Sequence, residues 1–258
     1  MIRNSFIFLE KVGKNREQQW WRSGIKDWAD FLRREKVEGV SFQKKQYYDR
    51  QLKAAQELLL KEDVSFFGKK ETWRLYDYFR EETGFLDVEV DSYGKVIVVG
   101  ISNYYQTTSF VRGANLEAEL LRKELSKYKL IVTFNGSSFD LPKLRKQCKL
   151  ELVIPHIDLK PLCLHLGLQG GLKQVERILA LKRPAHLYGN PVDLWKAFHA
   201  SGDREYLELL VEYNREDIEN LKQIMEYVYA QMSNKIYKLM NQSQLHANGN
   251  TLGGEGNS

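Results

Sequence analysis

Cysteine is nearly missing from this chain: Cys148 and Cys163 are the only two, and they form no CxxC pair. A disulfide framework and a structural zinc site are therefore excluded, and two reduced core thiols are expected. Long hydrophobic runs are also lacking. The apolar start Phe6-Ile7-Phe8-Leu9 meets Glu10 and Lys11 at once, too soon for a signal-peptide core or a membrane span. A cytoplasmic protein without a membrane partner is the expectation. Nor is there a large excess of either charge. Lys and Arg number 39 against 34 Asp and Glu, and the net +5 permits a polyanionic partner without demanding one. What is present is ordinary globular material, 43% hydrophobic and 28% charged, in 258 residues that suit one sizeable α/β core with a small extra domain.

No internal repeat is apparent, but the texture changes along the chain. Residues 5–35 read as two short helices, with Gly24 placed to end one and Asp27 to cap the next. This segment resembles a helix-hairpin-helix unit, although Lys11-Val12-Gly13 supplies only part of that motif's hairpin. A structural helical cap and a unit that contacts a DNA backbone both fit it. From Phe42 to Arg80 the pattern is helical and basic, with Lys44-Lys45, Tyr47-Tyr48, Arg50 and Lys69-Lys70. Apolar spacing makes most of its aromatics packing residues. Basic groups interleaved with aromatics would also suit a single-stranded nucleic acid.

After Gly84, strands are predicted at 85–90, 95–102 and 106–111, an antiparallel three-stranded start. Helix at 115–127, buried strand at 129–134, helix from Leu141, a short strand at 154–159 and helices near 162–166 and 172–179 follow. Asn190-Pro191 opens another helix, and Asp203 caps a long last one. The fold class is thus α/β, a mixed sheet that is antiparallel first and then parallel, flanked by helices, with a small N-terminal helical region. The expected division is 1–81 for the helical region, 82–240 for the α/β domain and 241–258 for a flexible tail rich in Asn, Gln, Gly and Ser.

Three short segments carry chemistry. In Phe85-Leu86-Asp87-Val88-Glu89-Val90, strand alternation sends Asp87 and Glu89 to one face, opposite Leu86 and Val88. A solvated sheet face would explain that pair as well as a bound ion would. In Val132 to Pro142, an apolar strand runs into Asn135-Gly136-Ser137-Ser138-Phe139-Asp140, where Asp140 is either a helix cap or a site acid at the end of a strand. Asn135, Gly136 and Ser137 form a turn through which a substrate backbone could approach closely. In the last helix, Tyr213 and Asp217 are four apart and share a face, and the neighbouring Leu209, Leu210, Ile218 and Leu221 give Asp217 little ordinary reason to turn inward.

Taken in order, Asp87-x-Glu89, Asn135-x4-Asp140 and Tyr213-x3-Asp217 resemble the three motifs of the DEDD superfamily, the DnaQ-like 3′–5′ exonucleases of the RNase-H-like fold. Position 212 is Glu rather than His, which makes the resemblance to the tyrosine type. His156-Ile157-Asp158-Leu159, Gly170-Gly171-Leu172-Lys173 and Tyr213-Asn214-Arg215-Glu216-Asp217 bring it closest to the YprB-type subfamily. The likeness covers roughly residues 82–230.

The resemblance implies hydrolysis of phosphodiester bonds in single-stranded nucleic acid, DNA ahead of RNA, with two divalent cations, Mg²⁺ or Mn²⁺. Two such ions about 3.5–4 Å apart activate water and stabilise the transition state, and carboxylates are the ligands they prefer. By analogy Asp87 bridges both ions, Glu89 and Asp217 complete the nucleophile-side ion, Asp140 holds the second and Tyr213 orients the attacking water. His156 is read as structural, and Asp158 as a local hydrogen-bonding group. Two other readings compete: a non-catalytic nucleic-acid-binding module with a vestigial site, and an RNase-H-like endonuclease. Nothing in the sequence fixes the oligomeric state, and a homo-oligomer is compatible with it.

Overall fold

A computed structural model describes residues 1–67, 71–187 and 189–249. Lys69 and Lys70 of the basic segment, and the expected tail from residue 250 on, lie outside the described residues. The chain divides into two units, Phe79–Tyr229 and a second made of Met1–Tyr78 with the residues from Ala230 onward.

The larger unit is built on a five-stranded sheet: β1 (Thr83–Val90), β2 (Val96–Ser102), β3 (Thr107–Val111), β4 (Leu130–Thr133) and β5 (His156–Asp158). Its spatial order is β3-β2-β1-β4-β5. The pairs β3/β2 and β2/β1 are antiparallel, and β1/β4 and β4/β5 are parallel. This is the mixed sheet read from the sequence. Three antiparallel strands can be joined by tight turns, whereas each parallel addition needs a crossover, and here helices supply it. Those helices are α4 (Ala118–Leu125) before β4 and α5 (Asp140–Cys148) before β5.

Strand alternation divides the sheet's chemistry. Leu86 and Val88 of β1, with Val99 and Ile101 opposite them on β2, face a core closed by Leu121 and Leu125 of α4 and Leu144 of α5. The other face carries Ile97 and Val98 against Trp195 of α8 (Pro191–Ser201) and Leu210 of the last helix, α9 (Arg204–Gly249). Asp87 and Glu89 lie on this second face, paired across the strand with Gly100 and Val98. They are therefore set under α8 and α9 and not on an open sheet surface. Between β5 and α8 the chain forms α6 (Leu159–His165) and α7 (Leu172–Ile178).

The smaller unit contains α1 (Lys14–Arg22), α2 (Trp28–Arg33) and α3 (Phe42–Leu60). Gly24 takes the left-handed conformation just past α1, and Asp27 caps α2 by accepting from the Asp30 amide. Lys11-Val12-Gly13 precedes α1, so it is not the turn that joins the two helices. Trp20, Trp21, Trp28, Phe31 and Tyr48 are fully buried, and Trp20 meets Phe6 edge-on. These aromatics are packing residues. The helix α9, at 46 residues, runs to Gly249, into the segment from 241 that the sequence suggested is a flexible tail. From Ala230 it groups with the N-terminal unit and not with the α/β domain expected to run to residue 240.

One buried ion pair anchors the smaller unit. Arg74 donates through both terminal nitrogens to Glu17, at 3.0 and 2.9 Å, and both side chains are nearly inaccessible. Glu17 also accepts from the Phe6 amide at 2.7 Å, tying the N-terminal segment to α1. Removing one member leaves a buried, uncompensated charge, which costs about 3–5 kcal/mol. Arg74→Met is therefore expected to lower the stability of this unit by about that amount in urea denaturation. An unchanged midpoint would show that the pair contributes nothing.

Candidate active site

The site forms where β1, the start of α5 and the first third of α9 meet. On β1, Asp87 and Glu89 point to the α8/α9 face, and a register irregularity between Glu89 and Val90 follows immediately. Such a bulge re-aims side chains at the end of a strand. On α9, Tyr213 and Asp217 lie one turn apart on the buried face between Leu210 and Leu221. Oxygens of Asp87, Glu89 and Asp217 all lie within 4.8 Å of one another.

Asp140 reaches the same cleft from α5. The residue that caps this helix is Phe139, whose side chain makes no capping bond; Asp140 is the first helical residue, 3% exposed. The parallel pairing of β1 with β4 stops at Phe85 and Val132, so β1 runs on past the end of β4. The Asp140 carboxylate uses that gap to lie beside the Val88 backbone, which favours its charged form. A cleft of about 290 Å³ is lined by Asp87, Glu89, Asn135, Asp140, Tyr213 and Asp217, with Phe134, Phe139, Leu172 and Pro191 as apolar wall.

The loop between β4 and α5 is held from below. Asp158, at the end of β5, accepts from the amides of Asn135 at 2.7 Å and Ser137 at 3.1 Å, and from Lys160 at 3.1 Å. Asn135 sits in the left-handed region at φ 65°, which Asn tolerates better than most residues. Of the three turn residues expected to meet substrate, Asn135 lines the cleft while Gly136 and Ser137 do not. Gly136 has a different reason to be glycine. A Cβ there would fall 2.0 Å from Thr133 Oγ1, the atom that accepts the Gly136 amide. His156 also contacts that hydroxyl, at 2.8 Å, and burial lowers its pKa, in keeping with a structural role.

Crowding four acids into a buried cleft disfavours their charged forms. Burial, then the neighbouring Glu89 and Asp217, hold the Asp87 carboxyl well above the usual carboxylate range. Burial and Asp217 push Glu89 up to about 8, and burial pushes Asp140 up to about 7. Burial also raises Asp217, even though Lys173 and Arg183 pull the other way. The Tyr213 phenol is driven further up by burial and by Asp217 and Glu89, away from any role as a base at neutral pH.

Four further residues complete the site, and the motif pattern did not single them out as site residues. Lys173 of α7 and Arg183 both donate to Asp217 Oδ1. Arg183 also donates to Glu176 at 3.1 Å, and the two cations flank the Tyr213 ring at 4.7 and 4.9 Å from its centroid. Asn214, fully buried, donates to Asp87 Oδ2 at 2.8 Å. Three oxygen-donor side chains in mutual contact range are a donor set that fits a hard divalent cation, which would relieve their repulsion. In the described structure Lys173 and Arg183 supply part of that relief.

A family model described as the RNase H superfamily matches residues 84–229, which contain the whole cleft. No curated protein matches the chain. Among solved structures, the chain is similar to the family B DNA polymerase from the hyperthermophilic archaeon Pyrobaculum calidifontis, at 14% identity and a TM-score of 0.45. The match covers 57% of this chain and 24% of the polymerase, so the chain spans about a quarter of that protein's length.

The raised carboxyls make a definite statement about pH. A carboxyl whose folded pKa exceeds its unfolded value binds more protons when folded, so its stabilising contribution is complete below the unfolded pKa and fades as pH rises. Glu89 and Asp140 place that loss between about pH 4.5 and 8, with Asp87 and Asp217 acting in the same sense. His156 and the Met1 amino group, both lowered by burial, oppose them, while Glu17 and Glu216, both raised by burial, act in the same sense. In EDTA, the melting temperature is expected to fall as pH is raised from 5 to 8. A flat or rising profile would contradict this electrostatic account.

Proposed function

This chain belongs to the RNase H superfamily, and we propose that within it the chain is a metal-dependent 3′–5′ exonuclease of the tyrosine-type DEDD class, nearest the YprB-type subfamily. Its proposed substrate is single-stranded nucleic acid, DNA ahead of RNA. The observation that carries the proposal is the convergence of Asp87, Glu89 and Asp217 within 4.8 Å, on a cleft that Asp140 shares. A solvated sheet face would leave Asp87 and Glu89 in water. Here they are half-buried and share their cleft with the buried Asp217 of α9.

In this reading Asp87, Glu89, Asp217 and Asp140 are the residues that would hold the two Mg²⁺ or Mn²⁺ ions. Bound divalent cations supply an ionised water near neutral pH and stabilise charge on the phosphoryl oxygens. The chain's own groups do the rest. The Tyr213 phenol stays protonated and donates a hydrogen bond to the attacking water. Phe134, Leu172 and Pro191 wall the cleft with apolar surface that limits the approach of other water. Phe139, 38% exposed at the cleft edge, and Asn135 are placed to meet the strand whose end is cut. The Asp158 clamp keeps the Asn135 loop from shifting when substrate enters.

The test is a time course on 5′-labelled DNA and RNA single strands with Mg²⁺, Mn²⁺ or EDTA. Wild-type protein is expected to give a ladder shortening from the 3′ end with metal and no cleavage in EDTA. Asp87→Ala is expected to abolish detectable degradation while keeping the wild-type circular dichroism spectrum, since it removes a carboxylate that would hold the cations. Full activity in that variant would sink the proposal. Internal cuts in a circular strand would replace it with an endonuclease.

A further inference from the structure

Asn214 lies between the two catalytic-motif residues of α9, yet its helical position turns it toward the sheet and not toward the cleft. Its Nδ2 donates to Asp87 Oδ2 at 2.8 Å and to the Asp87 backbone carbonyl at 3.3 Å. The side chain is completely buried, and its Oδ1 has no hydrogen-bond partner. A buried carbonyl oxygen without a partner is destabilising, so stability alone does not explain an amide here.

Space for the amide comes from β2. Gly100 is the direct cross-strand partner of Asp87. A Cβ at Gly100 would fall 2.0 Å from Asn214 Oδ1 and 2.4 Å from Ile218 Cδ1. The missing side chain on β2 is thus replaced by the amide of α9, which comes to rest beside the Asp87 carboxylate. The carboxylate in turn fixes which way the amide points, because the reversed amide would set an oxygen against it. The chemistry of the donor also matters. A Lys or Arg at 214 would add a charge competing with a cation for Asp87, and an Asp would add a further carboxylate to a site already crowded with them. A neutral amide donor does neither.

We propose that Asn214 is a positioning residue for Asp87, and that Gly100 is glycine so that Asn214 can reach it. By occupying Oδ2, the amide fixes the carboxylate plane and leaves Oδ1 turned to the cleft for cations. This rests on the reading of Asp87 as a metal ligand. Hydrogen-bonding partners of metal ligands of this kind commonly govern metal affinity by ten- to a hundredfold.

The experiment measures Mn²⁺ binding by calorimetry on the full chain, together with the melting temperature in EDTA. It uses Asn214→Leu, and the pair Asn214→Ala with Ile218→Val made without and with Gly100→Ala, in which the added methyl takes space that the amide and Ile218 Cδ1 no longer fill. Asn214→Leu is expected to weaken Mn²⁺ about 10- to 100-fold. Adding Gly100→Ala to the pair is expected to raise its melting temperature while its Mn²⁺ affinity stays low. It keeps the inference testable if Asn214→Leu fails to fold. Recovery of affinity along with melting temperature would reduce Asn214 to packing and overturn the inference, as would Mn²⁺ affinity within twofold of wild type in Asn214→Leu. Asp87→Ala separates the two levels. If it binds Mn²⁺ normally, the metal-ligand reading itself fails. If it loses binding while the Asn214 variants keep theirs, only the positioning role fails.

Discussion

Everything around the cleft answers one constraint, the mutual repulsion of carboxylates that the fold has taken out of water. Three of them meet within 4.8 Å on β1 and α9, and a fourth comes from the first turn of α5. Left alone, such a cluster would push the elements apart or hold protons at neutral pH. The structure meets it with donors instead. Lys173 and Arg183 reach Asp217, Asn214 reaches Asp87, and the Val88 backbone lies beside Asp140. Each donor comes from an element different from that of the acid it serves, and the two cations both converge on one oxygen. The repulsion is thus shared among α7, α9, β1 and the segment before α8.

How much of this was legible in the sequence depended on the range of each contact. Asp87 and Glu89 are two apart on a strand, and Tyr213 and Asp217 four apart on a helix, so their shared faces follow from local periodicity. The caps at Asp27 and Asn190 are equally local, and both accept the backbone bonds expected of them. Asp140 was ambiguous because a cap and a site acid occupy nearly the same place in a sequence, and only the placement of Phe139 as cap separates them. Lys173 and Arg183 are 44 and 34 residues from Asp217, and Asn214 is 127 from Asp87. No periodic pattern spans such separations. Gly100 did carry a signal, since a lone glycine inside an apolar strand often marks close approach by another element.

The smaller unit was harder to read for the opposite reason. Its helices and aromatics were visible, but aromatics beside basic residues fit both a packed core and a nucleic-acid surface. Burial of Trp20, Trp21, Trp28 and Tyr48 assigns them to the core. Lys44 and Arg50 remain on the exposed side of α3. The great length of α9 was hidden because its polar C-terminal stretch, rich in Asn and Gln, reads by composition as coil.

Asp158 shows a different economy. Its single carboxylate bonds the backbone of Asn135 and Ser137 and also the first turn of α6, so it joins two places that lie far apart along the chain. The segment that separates α5 from β5, residues 149–155, takes no part in that joint. That segment has its own anchor: Leu150 sits in the core and Leu152 and Ile154 pack against it. The cleft loop and the connection beneath it are thus fastened to the sheet by separate means, one by a carboxylate and the other by apolar side chains.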